Sequence, residues 1–103
     1  MFWNKKKPPS ADRKFILSLD GKHLKYIGER DSDQGERVIG KEGAINIVED
    51  EVVIRSSEKQ LFRCGINDVI AGELMSRDGV VFSGTDLLTG TRRSVIAYYK
   101  YYR

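Results

Sequence analysis

The sequence predicts an all-β fold: a small bent antiparallel barrel or sandwich of about seven or eight short strands. Two observations carry this. Turn signals recur every eight to twelve residues with alternating apolar runs between them, and no stretch sustains the 3.6-residue apolar period of an amphipathic helix. The clearest unit is Gly43–Ile54. With Glu49-Asp50 at its tip, Ile47 falls opposite Val52 and Ile45 opposite Ile54, so both arms share one apolar face. A slip of one residue would split that set, which selects this register.

At 103 residues, 40% hydrophobic and 32% charged, the chain has the size and composition of one globular domain. No run approaches the roughly 20 apolar residues of a membrane-spanning helix. The start, Met1 to Pro9, brings charge and proline where a secretory signal has its apolar core, and Cys64 is the single cysteine. A cytoplasmic, reducing location is the expectation. The net charge of +3 is unevenly placed: Lys5, Lys6, Lys7, Arg13 and Lys14 stand against Asp12 alone in residues 1–14, a net +4, leaving −1 for residues 15–103. The high isoelectric point therefore belongs to the N-terminal end, which weakens any inference from it to nucleic-acid binding by the body.

Residues 1–13 read as a flexible basic arm, because Pro8-Pro9 and three consecutive lysines oppose compact structure, and residues 14–103 read as the domain. Phe2 and Trp3 beside Lys5, Lys6 and Lys7 form a candidate anchor for a partner or an anionic surface. A first hairpin is expected from Lys14–Leu19 and Lys22–Ile27 around Asp20-Gly21, a strong type I′ signal, with Phe15 facing Tyr26 and Leu17 facing Leu24. His23 stands alone, without the spacing of a ligand set. Gly28–Glu36 reads as an exposed polar loop. Its Asp31, Asp33 and Gly35 match a calcium loop only in part, since the full pattern needs further ligands and a distal glutamate between two helices, and no helices are expected to flank it.

A short strand at Arg37–Ile39 precedes the central hairpin. Gln60–Ile66 alternates with Phe62, Cys64 and Ile66 on one side, which makes Cys64 a small buried hydrophobe. Val69–Met75 is taken as an irregular strand, Arg77-Asp78-Gly79 as a turn, Val80–Gly84 as a strand and Thr89-Gly90 as a break. Arg93–Tyr101 closes the series, with Val95, Ala97, Tyr99 and Tyr101 on one side and Ile96 and Tyr98 on the other. Apolar residues on both faces point to a strand covered on both sides or one that meets a partner.

Gly43-x-Ile45-x-Ile47-Val48-x-Asp50-x-Val52-x-Ile54, then Phe62-x-Cys64-x-Ile66-x-Asp68-Val69, resembles the core of bacterial pleckstrin-homology-like and GRAM-like domains. The resemblance covers about a quarter of the chain. It implies a bent barrel of about seven strands that binds lipid headgroups or other proteins. Two features depart from it: the turn that is basic in lipid-binding members is Glu49-Asp50-Glu51 here, and β-branched and aromatic residues stand where the family has a C-terminal helix. The acidic turn disfavours a headgroup.

No nucleophile elbow, phosphate loop, dinucleotide fingerprint or zinc spacing is present, so a non-catalytic role without cofactor or metal is expected. The closing segment is the most suggestive stretch. Tyr98, Tyr99 and Tyr101 with Arg92 and Arg93 form a candidate interface for a protein partner or a second copy. The alternative is single-stranded nucleic acid, bound by the basic arm and the same Tyr/Arg cluster.

Overall fold

The computed structural model describes residues 9–31, 35–57 and 59–100. Helix α1 (Pro9–Leu17) leads into seven strands: β1 (His23–Asp31), β2 (Gly35–Val48), β3 (Glu51–Ser56), β4 (Lys59–Gly65), β5 (Ile70–Glu73), β6 (Gly79–Thr85) and β7 (Arg92–Tyr99). All pair antiparallel in one sheet, in the order β4-β3-β2-β1-β7-β6-β5. The expected all-β class holds. The sheet bends around one core but does not close, since β4 and β5 at its ends are not paired.

The central hairpin forms in the expected register, Ile45↔Ile54 and Ile47↔Val52, and Ile45, Val52 and Ile54 are fully buried. Glu49 and Asp50 at its tip both have positive φ, the type I′ geometry that matches strand twist. Phe62 and Cys64 of β4 lie beside Ile54 and Val52, and Val80, Phe82, Val95, Ala97 and Tyr99 complete the inner face. Along β7 the predicted alternation holds: Val95, Ala97 and Tyr99 point inward, Ile96 and Tyr98 outward.

The first hairpin is corrected. Residues 14–17 are helical, so Tyr26 pairs with Lys41 and Tyr98, and Leu24 with Gly43 and Tyr99. A type I′ turn needs positive φ at both central residues, and only Gly21 of Asp20-Gly21 has it. Asp-Gly instead ends the helix through a tightened turn, in which Leu19 and Asp20 donate backbone N–H bonds to Ile16 and Leu17. Gly21 N–H then donates to the Ile45 carbonyl (2.7 Å) and the Asp20 carboxylate accepts from Ile47 N–H (2.8 Å), which pins the helix end to β2. The packing decides the period: Ile16 and Leu19 are buried in the core, a helical spacing of three. The boundary at residue 13/14 consequently falls inside α1.

The polar loop at 28–36 is corrected as well. β1 runs to Asp31 and β2 starts at Gly35, so only residues 32–34, outside the described residues, separate two long arms. A register shift between Ile27 and Gly28 lets the polar distal half pair without disturbing the apolar proximal half.

Candidate functional site

Arg93 is the best-connected side chain of the predicted cluster. From β7 its guanidinium forks onto Glu29 of β1, with Nε and Nη2 each 2.9 Å from a carboxylate oxygen. Its Nη1 donates to Asp86 (2.6 Å) and to the Leu61 carbonyl of β4 (3.0 Å). Asp86 is 0% exposed and fully engaged: its carboxylate also accepts from the N–H groups of Arg63 (3.1 Å) and Leu88 (3.0 Å) and from the Thr89 hydroxyl (3.2 Å). Leu87 N–H donates to the Arg63 carbonyl at 2.7 Å. The β6–β7 loop thus satisfies the outer edge of β4 where a barrel would have had a further strand.

Electrostatics follow from this wiring. Burial alone would push the Asp86 carboxyl up, but the Leu88 N–H, the Arg93 guanidinium and the Arg63 N–H outweigh it and hold the carboxyl below its usual range. Glu29 is held down chiefly by its hydrogen bonds from Arg93, and Arg93 is raised in turn by Glu29. This cluster is a structural latch that engages Nε, Nη1 and Nη2 of Arg93 and leaves its side chain 15% exposed, so most of Arg93 is committed within the fold. Carboxylates in turns look solvated from sequence, and Asp86 is the exception. The signal available was Asp86 with Thr89 three residues on, the pattern of a side chain that caps its own turn.

The other predicted residues separate. Tyr99 is 7% exposed and belongs to the core, with Lys22 Nζ 5.0 Å over its ring. Tyr98 faces outward, half-buried, its ring 4.5 Å from that of Tyr26 and its hydroxyl donating to Glu36 at 2.7 Å. Burial pushes both phenols up to about 12, helped at Tyr98 by Glu36 and at Tyr99 by Glu73. Arg92 is exposed. Tyr101, Phe2, Trp3, Lys5, Lys6 and Lys7 lie outside the described residues. β7 is a central strand, paired on both sides, so its backbone offers nothing to a partner and only Tyr98 and Arg92 remain as contacts. Cys64 is buried with its thiol pushed up to about 12 by desolvation and by Asp68, an inert setting for sulfur.

Two surfaces stand out instead. The first is the β5 edge. Leu74 N–H bonds the Gly79 carbonyl, and antiparallel alternation then turns the backbone groups of Ala71 and Glu73 away from β6. Among the described residues these groups have no partner. Ile70 (62% exposed) and fully exposed Met75 flank them. The second surface is a polar groove of about 450 Å³ at the other end of the outer face, bordered by His23, Arg55 and Lys100.

Among the described residues, no three His, Cys, Asp or Glu side chains gather as a metal site, and no helix is long and apolar enough to cross a membrane. Compared with known proteins, the chain matches no family model, no curated protein and no solved structure.

Proposed function

We propose that this domain is a non-catalytic interaction module that associates with a second copy of itself through the β5 edge. The observation that carries the reading is the contrast between the two ends of the sheet. The β4 edge is capped by Asp86, Leu87 and Arg93, whereas Ala71 and Glu73 on β5 hold outward-facing backbone groups beside exposed Ile70 and Met75. The edge is also self-complementary. Two β5 strands related by a twofold axis at Gly72 set Ala71 against Glu73 of the second copy, in register for four backbone hydrogen bonds, and Ile70 against its Leu74. Nothing lies within 4 Å of the side-chain position at Gly72, so the face of the sheet is open there.

The pleckstrin-homology-like resemblance is compatible with this reading, and a single sheet of seven strands bent around one core supports it. A cytoplasmic home belongs to the same proposal, supported by the lone buried thiol of Cys64. The nucleic-acid alternative keeps only Tyr98 and Arg92 of its C-terminal cluster among the described residues, and no observation favours it over protein contact.

Sedimentation across a concentration series tests the proposal. The wild type is expected to form a concentration-dependent dimer, and Glu73→Pro, which deletes an N–H that serves no described bond within the fold, is expected to remain a monomer with an unchanged melting temperature. A wild type that stays monomeric at millimolar concentration overturns it, as does a dimer that Glu73→Pro leaves intact.

A further inference from the structure

We propose that the groove at the β1–β2–β3 end of the outer face binds a soluble phosphorylated small molecule. His23, Ala44 and Arg55 stand in one row as direct cross-strand partners on β1, β2 and β3. Lys100 joins them because its N–H bonds the His23 carbonyl at 2.9 Å. Gly43 and Ala44 line its floor, and a Cβ at Gly43 would overlap the Arg55 carbonyl, so only glycine permits so close an approach of the two strands.

The rim is chemically selective. Arg55 and Lys100 are exposed and make no ion pair among the described residues, although four other arginines of the chain do. Glu42 is the one acidic residue lining the groove. Two fixed cations and a histidine against one carboxylate leave an excess of positive charge, on a body whose net charge is close to zero. A carboxylate ligand needs one such partner, whereas a phosphate presents more charge and more acceptor oxygens and uses several. Half-buried Asn46 lines the same groove with no hydrogen bond from its amide among the described residues, and the Ser57 hydroxyl is similarly unused. They suit the hydroxyls of a sugar.

Backbone conformation points to the same place. Glu42 and Ser57 both hold positive φ (50° and 57°), a conformation unfavourable for residues with a Cβ, and both line this groove. The Ser56 hydroxyl, which donates to the Lys41 carbonyl at 2.7 Å, holds the Glu42 bend in place. The volume of about 450 Å³ falls within the range of small-molecule sites and exceeds what a bare phosphate fills.

The test is a titration of isotope-labelled full-length protein, followed by amide shifts, with ribose 5-phosphate, ribose, inorganic sulfate and vesicles containing phosphatidylserine. Ribose 5-phosphate is expected to shift the amides of residues 23, 42–46, 55–57 and 100 and to bind at least tenfold more tightly than sulfate, with ribose inert. Arg55→Gln and Lys100→Gln are each expected to weaken binding about tenfold, the loss of one charge-assisted contact, and Glu42→Gln to strengthen it. All three positions are exposed, so unchanged shifts elsewhere report an intact fold. Equal affinity for sulfate and ribose 5-phosphate, shifts scattered over other lysines, or binding to vesicles alone each overturns the proposal. Repeating the titration on Glu73→Pro separates the groove from self-association, since that substitution leaves the groove untouched.

Discussion

Arg93 illustrates how one side chain can substitute for a missing strand. Its fork joins β1, β4 and the β6–β7 loop, and Asp86, fully buried, depends on it for charge balance. Arg93→Ala leaves that carboxylate buried without its cation and is expected to cost about 3–5 kcal/mol in urea unfolding. Arg93→Lys keeps the charge but cannot fork onto Glu29, and is expected to fall between the two. Both Glu29 and Asp86 are held below their ordinary range in the fold. Their contribution to stability is therefore complete above about pH 5 and is lost progressively as the pH falls below it. Thermal unfolding across acid pH should show that loss, and Asp86→Asn should flatten it. At the alkaline end Tyr98 and Tyr99 titrate up to about 12. Stability is expected to decline from about pH 10, where the unfolded phenols ionise, and tyrosinate absorbance should show Tyr98 and Tyr99 titrating late.

At the scale of elements, α1 and the central hairpin are tied together and both feed the core. α1 sends Ile16 and, just beyond its end, Leu19 into the core, and its Arg13 reaches across to Asp50 (3.1 Å) and Asn67 (3.3 Å) at two separate turns. Ile16→Ala is expected to cost about 2–5 kcal/mol, as truncations in a packed core do, while Arg13→Ala, an exposed pair, changes stability by less than about 1 kcal/mol. Chemical denaturation of the two variants distinguishes a helix that builds the core from one that merely covers it. The glycines of the sheet make a matching pair. Gly43→Ala forces β2 from the Arg55 carbonyl and is expected to destabilise by at least about 1–3 kcal/mol, whereas Gly72→Ala meets open space and is tolerated.

For the whole molecule, an unclosed sheet has two edges, and they are treated differently. One is sealed by the Asp86 loop, and the other carries Ile70 and the outward backbone of Ala71 and Glu73. Under the self-association proposal, Ile70→Lys places a charge opposite Leu74 of the second copy, so light scattering should report a monomer whose unfolding midpoint is unchanged. The groove lies at the far end of the outer face, so a dimer built on β5 would leave both copies of it open.

The central hairpin was legible because its information is local: period-two alternation and a two-residue tip specify Ile45↔Ile54 and Ile47↔Val52 without help from the rest of the chain. The same holds for β4 and β7, whose inward residues Phe62, Cys64, Val95, Ala97 and Tyr99 follow from alternation alone. Residues 14–20 were not legible. Phe15, Ile16, Leu17 and Leu19 suit either period over so short a run, and Asp-Gly serves a hairpin or a helix end, so the core that receives Ile16 and Leu19 chose the helix. The site was less legible still. Glu29, Leu61, Arg63, Asp86 and Arg93 meet from positions up to 64 residues apart, and His23, Arg55 and Lys100 meet around their groove from positions up to 77 apart. Strands with a strong internal period follow from their residues alone. Which charges are latches, which edge stays open and where free cations collect depend on distances between strands that no local pattern encodes, so these were set by the packing of the whole fold.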